Sequence, residues 1–328
     1  MNAERDVATE NMILKVRVGS HLFGTNTPES DLDYEGVFMP SSEMLYGFKA
    51  CKEVDCGTTA KDESGRNTKD AVDFKIREYR EFVRLALQNN PNILNMLFAN
   101  EENIEFANGF GRRLLGMADR FPHAGGLNRY LAYGRSQMKK MEVKPQNYDA
   151  IKEAIEAISA FDGRRTLVEV VDMINGVSVK YGLFVDRGPG KHIVVGDMSF
   201  ERGLSVKRVM SSLRDRIDRA SSRSKLWEKY GYDVKFGANL IQILRQGIVI
   251  AATGRIQFPL KYSSDILDIK SGRWSLERLK SSAMDAIEVL EDKINNGYHM
   301  LPSKPRHAEI ESFVIDEVMA WSHNLRSS

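Results

Sequence analysis

The sequence predicts an α+β chain in which a small mixed sheet with helices, residues 1–103, precedes a mainly helical domain, residues 104–328, with a β-hairpin insertion near 177–195. Three observations predict it. Short β-branched runs alternate with turn residues up to about Asn100. Apolar residues then recur at three- and four-residue steps over most of the chain, and one glycine-rich basic turn interrupts those helical periods.

Taken in order, Ile13 to Val18 reads as a strand ending in a glycine turn, and Asp31 to Met39 as a second strand. Val72 to Ile76 alternates polar and apolar residues as a third strand does, and helices follow over Arg80 to Gln88 and Pro91 to Leu97. From Ile104 onward the helical period dominates, over Phe106 to Arg120, Leu127 to Met141, Tyr148 to Phe161 and Thr166 to Ile174. Val177 to Asp186 and His192 to Val195 form the hairpin, joined by Arg187-Gly188-Pro189-Gly190. Helices resume over Val206 to Trp227, Val234 to Ala252, Leu276 to Ile294 and His307 to Asn324.

At 328 residues the chain is long enough for two domains with full-sized cores. Its longest apolar patch, Ile248 to Ala252, falls far short of the ~20 residues that span a bilayer, and Met1 to Glu10 is polar, so neither a membrane anchor nor a signal peptide is expected. Cys51 and Cys56 lack zinc-site spacing and are expected to be reduced thiols of a cytoplasmic protein. A net charge of +2 argues against coating nucleic acid by bulk attraction. The charge is unevenly spread: residues 1–110 hold 12 Lys and Arg against 19 Asp and Glu, and the remainder 35 against 26. An acidic part that gathers metal ligands and a basic part that receives phosphates would give this asymmetry, and so would an ordinary solvated surface.

The most informative stretch is Val18-Gly19-Ser20-His21-Leu22-Phe23-Gly24-Thr25 followed by Ser30-Asp31-Leu32-Asp33-Tyr34-Glu35-Gly36-Val37. Successive strand side chains alternate faces, so Asp31 and Asp33 project to one side about 6.6 Å apart along the chain. Two such carboxylates repel unless a cation lies between them. Hard oxygen ligands suit Mg²⁺, which keeps waters and substrate phosphates as its other ligands. A Gly-Ser pair or an Asp-x-Asp alone is ordinarily a turn or a solvated strand edge; their order and their spacing of about ten residues after a strand are what single them out.

That arrangement resembles the DNA polymerase β-like nucleotidyltransferase superfamily, and more closely its predicted nucleotidyltransferase family associated with RNA ligases. The landmarks are Ser30-Asp31-x-Asp33 with Gly36, Val37 and Pro40, the run Asn89 to Leu94, Tyr130 to Gln137, and Gly231-Tyr232-Asp233-Val234-Lys235. The resemblance implies a nucleotidyltransferase palm followed by a helical domain closing over the nucleotide. It implies an NTP substrate held at Gly19 and Ser20, with Ser30 nearby, and Mg²⁺ or Mn²⁺ on Asp31 and Asp33. His21 directly follows the Gly-Ser turn, which makes nucleotide proximity plausible. A third carboxylate on a later strand is also implied; Asp73 is the candidate, with Asp55 and Asp70 as rivals. Asp73 would orient or accept the proton of the attacking hydroxyl. Lys235, opening a helix, matches the lysine that template-independent members place on the triphosphate. Asn239 and Gln242 stand where the family often has other residues, and Arg245 lies one turn on.

The expected activity is template-independent transfer of NMP from an NTP to an acceptor hydroxyl, with release of pyrophosphate. An RNA 3′ end is the preferred acceptor; a protein or small-molecule acceptor, or a non-catalytic nucleotide- or RNA-binding module, remain open. RNA contact is expected through the basic segment 202–229, where Arg208, Arg216, Arg219 and Arg223 fall near one helical face, although such faces are often simply solvated. The loop at Arg187 to Lys191 lacks phosphate-loop spacing, and His192 stands alone.

Overall fold

The computed structural model describes residues 3–28, 30–58, 72–142, 146–175, 184–186, 188, 190, 192–195 and 198–327. The chain divides into two compact units, one made of residues 1–137 with 237–328 and the other of residues 138–236.

The first unit is built on a five-stranded sheet ordered β3-β4-β2-β1-β5. Its chain runs α1 (Ala3–Glu10), β1 (Met12–Arg17), α2 (Gly19–Phe23), β2 (Leu32–Phe38), α3 (Ser42–Tyr46), β3 (Glu53–Asp55) and β4 (Val72–Glu78). It continues through α4 (Tyr79–Leu87), α5 (Pro91–Leu97), β5 (Ile104–Ala107), α6 (Gly109–Gly116) and α7 (Leu127–Glu142), the last of which begins in this unit. β2 and β4 are parallel, whereas β1 pairs antiparallel with both β2 and β5.

Local chemistry explains the element ends. Glu78 caps α4 by accepting the Glu81 N–H at 3.0 Å, so strand passes into helix without a loop. Asn90 caps α5 and Pro91 occupies its first turn, where a missing N–H costs nothing. One sheet face buries Leu14, Val16 and Val37, with α6 approaching closely enough that a Cβ on Gly111 would strike the backbone at Ile13. On the opposite face α1 seals one end, where Ala8 packs with Phe38, Val54, Cys56 and Ile76.

The second unit contains α8 (Gln146–Ser159), α9 (Leu167–Asn175), β6 (Val185–Asp186), β7 (His192–Val195), β8 (Met198–Glu201) and α10 (Val206–Tyr230). The three strands form their own sheet, ordered β6-β7-β8, and a core of Ile151, Ile158, Val170, Ile193, Phe200 and Val209 joins it to the helices. α11 (Val234–Thr253) begins here, and α12 (Ser263–Lys270), α13 (Leu276–Asn295) and α14 (His307–Ser327) belong to the first unit. No described helix is long and apolar enough to cross a membrane.

Three local readings change. Ile104 to Ala107 is an edge strand paired with β1 rather than the lead-in to a helix, because its alternating side chains find a partner strand. The Gly-Ser turn opens the short helix α2. The hairpin gains a third strand, β8, and its proposed start at 177–183 lies outside the described residues.

Candidate active site

The carboxylates meet where β2 and β4 begin. Parallel register sets Asp33 directly beside Asp73, and Asp31 lies one residue before β2. Their shared charge is visible at Asp33, whose carboxyl is pushed up to about 6, chiefly by burial and then by Asp31, Asp73 and Glu35. Lys270, at the end of α12, opposes that shift.

The Gly-Ser end of the site is tied to this cluster through the backbone. The Val18 N–H donates to the Asp33 carbonyl at 2.9 Å, fixing the turn against β2. Gly19 has φ +63°, and a Cβ there would run into the Asp33 carboxylate, so glycine is required on both counts. Gly24 ends α2 in the left-handed conformation and the Thr25 N–H closes back on the Ser20 carbonyl at 2.8 Å. Within this knot Ser20 Oγ and His21 Nε2 are buried polar atoms with no hydrogen-bond partner among the described residues. Buried polar groups are ordinarily satisfied, so these two mark a place where a further polar group belongs.

The other candidates fall as follows. Ser30 Oγ accepts the Thr27 N–H at 2.9 Å and so shapes the loop leading to Asp31. Asp55 accepts the Gly57 N–H at 2.9 Å in a local turn, and Asp70 lies outside the described residues. Lys235 is exposed in the first turn of α11, its N–H donating to the Asp233 carboxylate that caps the helix, and it belongs to the second unit. Asn239 is exposed and Gln242 buried, while Arg245 donates to Asp265 at 2.6 Å and lies over the Tyr262 ring. In α10, Arg208 is exposed and the side chains of Arg219 and Arg223 lie outside the described residues.

Lys270 and Thr25 were not foreseen. The Lys270 ammonium donates to Thr25 Oγ1 at 3.1 Å, and Thr25 is itself buried. The contact bridges 245 residues of sequence and carries no local motif. The second missed feature is the next step along the sheet, where Arg77 pairs with both Glu35 and Glu53.

Asp31, Asp33 and Asp73 carry hard oxygen donors of the kind a divalent cation takes, and the proton affinity of the Asp33 carboxyl is raised chiefly by burial and then by its acidic neighbours. Among the described residues no group of three or more His, Cys, Asp or Glu side chains is placed closely enough to hold a metal ion as it stands.

Residues 1–158 match the family model RlaP, described as an RNA repair pathway DNA polymerase beta family. An uncharacterised 38.9 kDa protein of Enterobacteria phage T4 is 24% identical over 306 residues, covering 85% of this chain and 88% of the phage protein. The crystal structure of a nucleotidyltransferase-like protein from Exiguobacterium sibiricum aligns with 90% of this chain and 72% of its own at 8% identity, with a TM-score of 0.25, too loose to equate residues. The matched residues 1–158 hold the whole five-stranded sheet and its acidic end, so it is this part of the chain that is similar to the DNA polymerase beta family.

Proposed function

We propose that the protein transfers a nucleoside monophosphate from an NTP to the 3′ hydroxyl of an RNA, without a template, releasing pyrophosphate. The observation that carries this reading is the pairing of Asp33 with Asp73 beside a glycine-serine turn whose serine oxygen is buried and has no hydrogen-bond partner among the described residues. The RNA acceptor is supported by the RNA repair description of the matching family.

Asp31, Asp33 and Asp73 would hold Mg²⁺ or Mn²⁺, with water and substrate phosphates completing the shell. Such an ion supplies charge neutralisation at the reacting phosphate. The remaining work falls to the chain. Gly19 lets the backbone approach the triphosphate, and Ser20 Oγ donates to one of its oxygens. Asp73 accepts the proton of the acceptor hydroxyl as its oxygen bonds to the α-phosphorus and the bond to the β-phosphate breaks. Lys270, whose charge acts on Asp33, would neutralise charge on the departing pyrophosphate. His21 Nε2, buried with no partner among the described residues, would take a polar atom of the nucleotide. With both cysteines free, we assign the protein to the cytoplasm.

The test is incubation of the full chain with each α-labelled NTP, Mg²⁺ or Mn²⁺, and a mixture of RNA, DNA and protein acceptors. Label on RNA 3′ ends is expected. Label on protein or on a small molecule would move the acceptor, and no transfer at all would leave a binding module.

A further inference from the structure

The sheet face opposite the carboxylates has a feature that nucleotide transfer does not use. Beside the core sealed by α1, against which Phe74 packs, three strands present aromatic rings on this one face: Tyr34 on β2, Phe74 on β4 and Phe106 on β5. Register aligns Tyr34 with Phe74, their rings edge to face at 6.3 Å, and Lys15 with Phe106. Gly36 lies opposite Lys15 on the other side of β1, and a Cβ there would meet the Phe74 ring at 3.3 Å and the Leu14 carbonyl at 3.1 Å. Glycine therefore lets the Phe74 ring lie over the strand. Lys15 Nζ lies 4.2 Å from the Tyr34 centroid and 5.1 Å from that of Phe74, and among the described residues no carboxylate pairs with it. Phe106 is 43% exposed. Arg17, one step along β1, is held by Asn103 Oδ1 and the Glu102 carbonyl, each at 3.1 Å.

We propose that this face binds the single-stranded acceptor RNA, with bases stacked on Phe106 and the Tyr34 edge and a phosphate on Lys15. Single strands offer what the face accepts, π surfaces and regularly spaced anions, whereas a duplex hides its base faces. An acidic peptide would satisfy Lys15 but leave the aromatic surface unused. The face reaches the chemistry at the strand end, where β1 runs from Arg17 into the Gly19 turn. This inference rests on the proposed transfer to RNA for its purpose, not for its geometry.

The experiment measures binding of a short fluorescent single-stranded oligoadenylate to the full chain over a range of salt, with NTP affinity recorded in parallel. Phe106→Ala should weaken binding about tenfold while Phe106→Trp retains it, as a stacking platform requires. Lys15→Gln should make the log-log salt dependence shallower by about one unit. A duplex of the same length should bind less tightly and ignore the Phe106 change. Wild-type affinity in both Phe106→Ala and Lys15→Gln, or no oligoadenylate binding by the wild type, overturns the proposal. Transfer to RNA that persists in such variants with unchanged KM removes this surface and leaves the nucleotidyltransferase reading standing. Weakened RNA binding in Phe106→Ala, with no transfer even by the wild type, keeps the surface and removes the activity.

Discussion

Two neighbouring rungs of the same parallel strand pair are built from similar residues and behave in opposite ways. At the first, Asp33 faces Asp73 across β2 and β4, acid beside acid. Two residues along, on the same face, Glu35 stands opposite Lys75, and Arg77 reaches both Glu35 and Glu53. Charge at the second rung is balanced within the protein. At the first it is not, and burial together with the neighbouring acids Asp31 and Asp73 raises the proton affinity of Asp33. A fold tolerates such a defect where function needs it, so the unbalanced rung is read as the working one and the balanced rung as scaffold.

The comparison breaks most sharply at Asp33. Asp33→Ala or Asp31→Ala should lower transfer at least about a thousandfold, the loss expected when a metal ligand goes, while circular dichroism stays native. Relief of like-charge repulsion should raise the melting temperature of the metal-free protein. Wild-type turnover in either variant would exclude the metal assignment.

Next comes the turn. Ser20→Ala should weaken NTP binding by about 1.5–3 kcal/mol, the worth of a hydrogen bond to a charged group, read by titration calorimetry. Gly19→Val should be worse, since its side chain would enter the Asp33 carboxylate. Unchanged nucleotide affinity in both would move the triphosphate elsewhere.

The balanced rung should fail differently. Arg77→Gln leaves half-buried Glu35 without its cation and should cost about 2 kcal/mol of stability in denaturant unfolding. Transfer per folded molecule should hold. Loss of activity without loss of stability would put the second rung in the active site.

The smallest effect is on pH. The folded-state pKa of Asp33 lies near 6, above its ordinary 3.8, so between those values the folded protein binds the extra proton. Stability of the metal-free protein is therefore greatest at low pH for this group and falls as pH rises from 4 to 6, on top of what other groups do. Asp33→Asn should remove that component, seen as a flatter melting-temperature profile over the interval. An unchanged slope would mean that Asp33 is not the group under strain.

How much of this was legible in the sequence follows from how far apart the interacting residues are. Gly19, Ser20, Asp31 and Asp33 sit in one strand-turn-strand stretch, where period-2 alternation and turn chemistry speak directly. Helices with long apolar stripes, such as α7 and α13, were equally readable. β3 and β5, of three and four residues, are too short for alternation to stand out, and pairing with β4 and β1 is what makes them strands. Lys270 reaches Thr25 from 245 residues away, and Arg77 finds Glu35 only once β2 and β4 are in register. No local pattern encodes either contact.

The most direct measurement sets the two rungs against each other with the metal as ligand. Thermal unfolding of wild type, Asp33→Asn and Glu35→Gln is recorded at neutral pH with and without Mg²⁺ or Mn²⁺ and a non-hydrolysable NTP analogue. The ion and nucleotide together should raise the melting temperature of wild type and Glu35→Gln, and leave Asp33→Asn unmoved. An equal rise in all three, or a rise lost only in Glu35→Gln, would contradict that expectation.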